Sequence, residues 1–302
     1  MTGQFGSITE SSNPALPVSN SESFSAGLVF SPRQVEGLSV TLDYYRIEQS
    51  EVGDLDYTAV LADLNAKGAA SVYALQFAFA DQSRLTSNAP NQVTHSNIGA
   101  LTELDSRSGD AWTDGLDVAV EYATGAGHIG RFRFGAMATV LFNAKFRATP
   151  SVPYAQYARN FTDSVNGLGG QAGLLPGYIV KPYLHLTHRR ISTSVFASYY
   201  PEVTAAGTLF GGRNVRNTQR IDGKAYTIPD YFTTDLALSY NLPDFRRDWL
   251  GGFTVTAGAN NVFNRQAPYV PGGGSGPSEN NTAKIAYDII GRFMFLEVKK
   301  SF

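Results

Sequence analysis

Several residue groups in this sequence have types and spacings that could do chemistry. The carboxylates Asp43, Asp117, Glu121, Asp235 and Glu297 share the polar parity of their segments with Arg131, Arg133, Lys181 and Lys299. Two carboxylates flanking a scissile bond would serve glycoside hydrolysis, one as acid and the other as base or nucleophile. No flanking pair is identifiable here, and a wet interior needs the same mixture of charge. His185 and His188 could ligate a metal, but three residues apart on a strand they point to opposite faces. The run from Pro271 to Pro277 is glycine-rich, yet it lacks the Gly-Lys-Ser/Thr ending of a phosphate cradle and a following helix. It reads as a loop. Ser, His and Asp all occur without a Gly-x-Ser-x-Gly elbow, so nothing supports a hydrolase. With no cysteine there is no disulfide framework, thiolate metal site or thiol nucleophile. Tyr154, Tyr157, Phe161, Phe210 and Tyr226 could stack on a sugar or an aromatic ligand, or be ordinary exposed rings. The sequence therefore predicts no catalytic, cofactor or metal site, and no enzyme.

The elements that would position these groups are strands. Tyr 16, Phe 19 and Gly 30 are high counts for 302 residues, and they favour β structure. A formal charge of −2, with no Lys/Arg run, argues against a nucleic-acid partner. No apolar stretch has the roughly 18 residues of a membrane helix, which leaves membrane-crossing strands open. Leu38, Val40, Leu42 and Tyr44 alternate with Ser39, Thr41 and Asp43. Leu116, Val118, Val120 and Tyr122 alternate with Asp117, Ala119 and Glu121. Over 131–143, Phe132, Phe134, Ala136, Ala138, Val140 and Phe142 oppose Arg131, Arg133, Thr139 and Asn143. Period two of this kind puts one face in an apolar medium and the other in a polar one.

Six more segments read similarly: 23–30, 179–187, 191–200, 232–240, 253–261 and 289–302. Most of the nine approach the roughly 9–11 residues of a tilted membrane strand and exceed the roughly 5–6 of an ordinary strand. Short connections (31–36, 124–130, 188–190, 242–252) alternate with long ones (49–112, 145–177, 201–231, 264–288). That asymmetry belongs to outer-membrane barrels, with short periplasmic turns and long extracellular loops. Within the first long loop, residues 58–67 before Gly68 predict a short helix. If the last strand descends to the periplasm, so does the first, and residues 1–22 are extracellular. Nine is odd, whereas bacterial single-chain barrels are even, so further strands are expected upstream. Residues 1–20 hold no Lys, Arg or apolar core segment, and so do not read as a signal peptide.

The end of the chain resembles a known family. Asn260-Asn261-Val262-Phe263-Asn264, a Pro/Gly loop, Tyr287-Asp288-Ile289-Ile290-Gly291-Arg292-Phe293 and a terminal Phe302 are similar to the end of TonB-dependent receptors. Upstream, Asn13-Pro14-Ala15-Leu16, Gly37-Leu38-Ser39-Val40 and Asp43-Tyr44-Tyr45-Arg46-Ile47 also resemble that family's barrel. The resemblance implies an all-β, antiparallel up-and-down transmembrane barrel of roughly 22 strands around a plug. This chain, 1–302, would supply about the last nine strands, with plug and signal peptide absent. It implies location in the outer membrane and active uptake of a scarce solute of the siderophore, cobalamin or glycan class. The isolated segment is not expected to transport. The competing reading is a small self-contained porin or adhesin barrel.

Partners follow from the same resemblance: outer-membrane lipid, the plug and N-terminal strands, the barrel-assembly machinery, and TonB through the missing N-terminal region only. Asp117, Glu121, Arg131 and Arg133 are expected to face the lumen. Met294, Leu296, Val298 and Phe302 form the apolar stripe of a terminal strand that the resemblance makes an assembly signal. Lys300, on the apolar parity, is expected to snorkel to the headgroups.

Overall fold

The computed structural model describes residues 8–11, 16–52, 66–67, 70–71, 77–79, 101–104, 109–125, 127–128, 130–147, 150, 153–161, 174–205, 227–243, 252–269 and 287–300. Nine long strands dominate it: β1 (Asn20–Phe30), β2 (Leu38–Val52), β3 (Gly109–Ala123), β4 (Arg131–Arg147), β5 (Tyr178–His188), β6 (Ile191–Tyr200), β7 (Tyr231–Asn241), β8 (Phe253–Asn260) and β9 (Phe293–Lys300). They lie side by side in sequence order, each antiparallel to the next, with the two-residue strand Ala155–Gln156 added to the end of β4. The order is up-and-down throughout, with short and long connections in alternation. β1 and β9 are its edges, and every residue of β1 is exposed.

Tight turns at one end depend on left-handed backbone. Gly37 has φ +86°, and a Cβ there would collide with the carbonyl of Ala123 on β3. Gly130, at φ +112°, is pressed in the same way against the carbonyl of Thr187 on β5. The β5–β6 hairpin instead places Arg189 at φ +53°, a conformation that costs a non-glycine residue roughly 1–2 kcal/mol.

The strands are longer than the alternation suggests, and the extra length lies at the long-loop end. β2 runs to Val52 instead of Tyr44, and β3 begins at Gly109 instead of Leu116. The register between β3 and β4 shifts between Asp114 and Gly115: Gly115 pairs with Leu141 and Asp114 with Asn143. This β-bulge inserts one residue into β4 and reverses its parity beyond that point. Asn143, expected opposite Phe132 and Phe134, therefore lies on their face, where its side chain donates to Asp114 at 2.8 Å. The last strand begins at Phe293 and not at 289.

The buried core lies at the long-loop end too. Val203–Ala205 pairs antiparallel with Thr227–Ile228 and parallel with Asn160–Phe161, which also pairs with Leu174–Leu175. Ile228 is 0% and Val203 2% exposed. A separate small sheet joins Ile8–Ser11 in parallel to Leu101–Leu104, with Phe77–Phe79 on its other side. Of the helix expected over 58–67, residues 66 and 67 are helical and the rest lies outside the described residues. No described helix is long and apolar enough to cross a membrane.

Candidate functional site

The sheet itself is the candidate site, because its two faces differ in chemistry. On the polar face Asp117 stands opposite Asp43 and Thr139, and the Thr139 hydroxyl donates to Asp117 at 2.6 Å. Glu121 meets Arg133 at 3.6 Å and accepts from the Tyr183 hydroxyl at 2.6 Å. Arg131 pairs with Thr187, whose hydroxyl lies 3.3 Å from that of Ser192. The same row continues through Ser239 and Thr256, 2.8 Å apart, to Glu297. Asp117, Glu121, Arg131 and Arg133 thus share one face, and Glu121 and Arg133 are in contact. His185 uses Nδ1 on Ser194 Oγ at 2.9 Å and packs edge-on to Phe196, while His188 falls on the other parity. Among the described residues no cluster of three or more His, Cys, Asp or Glu could hold a metal.

Phe295 looks out of place in this polar face, and Gly258 accounts for it. The two pair across β8 and β9, and the ring occupies the space a Cβ at 258 would need. A glycine on a strand is thereby covered by a neighbouring aromatic.

The other face is an apolar band between two rows of rings. Phe24, Tyr44, Tyr178, Tyr199 and Phe232 mark the long-loop side, with Tyr178 and Tyr199 stacked at 6.1 Å. Phe30, Tyr122, Phe132, Tyr240 and Phe253 mark the turn side, with Tyr122, Phe132 and Phe134 clustered at 5.4–6.4 Å. Between the rows lie Leu28, Leu42, Val118, Val120, Leu184, Leu236 and Leu238. Phe232 and Tyr240 are eight residues apart, or roughly 27 Å along the strand and about 20 Å after a 40° tilt. On β9, Met294, Leu296 and Val298 are 67%, 71% and 60% exposed and face Ala259, Ala257 and Val255. Lys300 shares their parity and sets its ammonium over the Phe253 ring at 5.1 Å. Phe302 lies outside the described residues.

The two motifs behind the family resemblance prove to be each other's partners. Asn261, at φ +48°, closes a turn by donating to the Arg265 carbonyl and accepting from its amide, both at 2.8 Å. Its own amide donates to Asp235 at 2.8 Å. Asn264 accepts from the Arg292 amide at 3.0 Å, next to Gly291 at φ +76°. The Asp288 side chain accepts from the Ile290 amide, and its carbonyl accepts from the Tyr231 hydroxyl. Tyr287 packs edge-on against Tyr231 and Tyr200. Burial first, then the neighbouring tyrosines, push its hydroxyl up to about 12. These contacts latch the start of β9 to the end of β8, so the motif residues hold structure at this site. The loop glycines 271–277 and the aromatics Phe210 and Tyr226 lie outside the described residues.

Several solved structures with this arrangement of strands are much longer. The ferric enterobactin receptor of Pseudomonas aeruginosa (G324V mutant) matches 96% of this chain with 32% of its own, at 14% identity and a TM-score of 0.55. The FrpB iron transporter of Neisseria meningitidis (F5-1 variant, apoprotein form) matches 96% with 32%, at 11% identity and a TM-score of 0.54. The siderophore receptor PirA of Acinetobacter baumannii matches 95% with 32%, at 14% identity and a TM-score of 0.52. At these identities the likeness is one of fold, and the chain spans about a third of the length of each. No curated protein matches it in sequence. The family model described as TonB dependent receptor-like, beta-barrel matches residues 2–262, and the chain belongs to that family of outer-membrane receptor barrels.

Proposed function

We propose that this chain forms the C-terminal strands of an outer-membrane receptor that takes up a scarce solute with energy delivered through TonB. The observation that supports this best is the open nine-stranded sheet. Among the described residues its edges β1 and β9 are unpaired, and the chain matches about a third of the ferric enterobactin receptor. On this reading further strands complete the circumference and satisfy the edge backbone groups that lipid would leave unpaired. The three named neighbours are a ferric enterobactin receptor, an iron transporter and a siderophore receptor. That favours the siderophore class over cobalamin or glycan. On this reading the polar face lines the lumen, and Asp117, Glu121, Arg131 and Arg133 contact water or the plug. The apolar band meets lipid, TonB engages a region outside these strands, and the nine strands alone do not transport.

The test is uptake of a radiolabelled ferric siderophore by cells producing the whole receptor that carries these strands. Saturable uptake that disappears in cells lacking TonB is expected. Uptake at an equal rate without TonB would favour the competing porin reading.

The terminal strand is proposed as the signal for barrel assembly, through the lipid-facing stripe of Met294, Leu296, Val298 and Phe302. Deleting Phe302 from the whole receptor is expected to reduce the heat-modifiable barrel recovered from outer membranes, with product degraded in the periplasm. Unchanged assembly at low and high expression would remove Phe302 from the signal.

A further inference from the structure

The two ends of the sheet differ in charge. The short connections 31–36, 124–130, 188–190 and 242–252 all lie at one end, with the close of β9 beside them. Together with Lys299 and Lys300 they hold seven of the chain's 24 Lys and Arg but three of its 26 Asp and Glu. In the last turn, whose middle lies outside the described residues, Arg246 and Arg247 balance Asp244 and Asp248. The excess therefore comes from Arg33, Arg189, Arg190, Lys299 and Lys300 against Glu36. The cations of the two ends are also engaged differently. At the long-loop end Arg46 and Arg147 pair with Glu48 and Asp110. At the turn end Arg33, Arg189 and Arg190 are exposed, and no carboxylate among the described residues pairs with them. Arg189 occupies a left-handed turn position, φ +53°, that glycine would adopt without strain. Bordering these cations is the turn-side row of rings. Ile191, next to Arg190, pairs with Tyr240, and both are exposed on the apolar side. Lys300 holds its ammonium over the Phe253 ring in the same row.

We infer that the turn end of this sheet binds the headgroups of anionic phospholipid, with Arg189 and Arg190 as the principal contact. The partner has to satisfy two adjoining chemistries, an exposed apolar band and a line of cations beneath it. A phospholipid of net negative charge does both: its acyl chains lie on Ile191 and Tyr240, and its phosphate accepts from a guanidinium fork. An acidic protein would use the cations and leave the exposed apolar side chains beside them uncovered. A zwitterionic lipid brings its own ammonium, which competes with the arginines for the phosphate. Successive short turns are two strands apart, roughly 10 Å, so the cations recur along a line, as headgroups do in a leaflet. An anionic partner also offsets the backbone cost of an arginine at position 189.

The inference rests on the membrane reading above, which puts the turns at the periplasmic leaflet. It is tested on the whole receptor carrying this chain, in mixed micelles of phosphatidylglycerol and phosphatidylethanolamine in equal amounts with the same acyl chains. Native mass spectrometry counts the lipids retained, and heat-modifiable mobility reports folding. The parent is expected to retain phosphatidylglycerol in preference, and the preference should weaken with added salt. Arg189→Gly keeps the left-handed turn and removes the charge, so it should lower retention of phosphatidylglycerol roughly fivefold. The double variant Arg189→Gln with Arg190→Gln should lower it by roughly 25-fold. Neither should change retention of phosphatidylethanolamine. Lys145→Gln removes a cation at the long-loop end and should leave both lipids as in the parent. No preference in the parent, arginine variants that retain phosphatidylglycerol undiminished, or an equal loss with Lys145→Gln would each overturn the inference. Uptake is read separately: a receptor that transports without this preference loses the lipid contact alone, and one that shows the preference without TonB-dependent uptake loses the transport reading alone.

Discussion

The middle of the sheet and its long-loop end are built on opposite plans. In the middle, large apolar side chains stay exposed on one face: Leu28, Leu184, Leu236, Leu238 and the β9 stripe have no protein layer over them. At the loop end, two- and three-residue strands bury Ile228, Val203, Tyr231 and Tyr287 almost completely. Away from the loop end the long strands have a long backbone ladder and, among the described residues, no buried large apolar side chain; the short strands have buried side chains and almost no ladder. A sheet face this apolar needs an apolar medium to remain monomeric, whereas the loop end buries its apolar side chains without one. On the membrane reading proposed above, the middle of the sheet is matched to lipid and the loop end to water.

That contrast can be broken from either side. Leu236→Arg places a charge in the middle of the apolar band and is expected to cost about 2–4 kcal/mol in the complete barrel. Ser239→Arg, on the polar face of the same strand, is expected to cost under about 1 kcal/mol. Reversible urea unfolding in lipid vesicles measures both, and equal costs would erase the distinction between faces. Ile228→Ala should cost about 2–3 kcal/mol, the lower part of the range for such truncations because loop segments can relax. The loss should be confined to the loop end. Hydrogen exchange is expected to accelerate at Asn160–Phe161 and Val203–Ala205 while β5 and β6 keep their protection. Acceleration along the whole sheet would show one cooperative unit instead of two.

The smallest effect concerns protons. Tyr287 has its hydroxyl buried without a hydrogen-bond partner among the described residues and its pKa raised from 10.0 to about 12. The folded loop end therefore holds a proton that the unfolded chain releases. The contribution of Tyr287 to loop-end stability is constant below about pH 10 and falls between about pH 10 and pH 12, where the unfolded state binds fewer protons. Tyr287→Phe should remove that slope and cost little at neutral pH, since no hydrogen bond is lost. Hydrogen exchange at the Arg292 amide as a function of pH checks the sign. Stability rising over that interval would contradict it.

Much of this was legible from alternation alone. Nine strands and the alternation of Leu116–Tyr122 between two faces follow from period two, and the neighbour order from the alternation of short and long connections. The apolar alternation stops at Tyr44, where charged Arg46 and Glu48 take over that parity, but the ladder continues to Val52. The bulge at Asp114 is silent in composition, so the change of face at Asn143, Lys145 and Arg147 could not be read. Residues 289–292 keep an apolar look yet form a turn, because Asn264 captures the Arg292 amide from 28 residues away. The loop-end core is invisible in sequence for a simpler reason: Thr227–Ile228 and Asn160–Phe161 are too short to show any period.

The central claim is that one face of this sheet meets lipid and the other a wet lumen. The chain has no cysteine, so single cysteines can be placed at each position from Leu116 to Tyr122 of the whole receptor in intact outer membranes. A small, water-soluble, membrane-impermeant maleimide should label positions 117, 119 and 121 strongly and 116, 118, 120 and 122 weakly, with a lipid-soluble quencher showing the reverse. Period-two labelling of opposite phase would mean that the two faces are assigned the wrong way round. Labelling with no period would mean that β3 does not separate lipid from water at all.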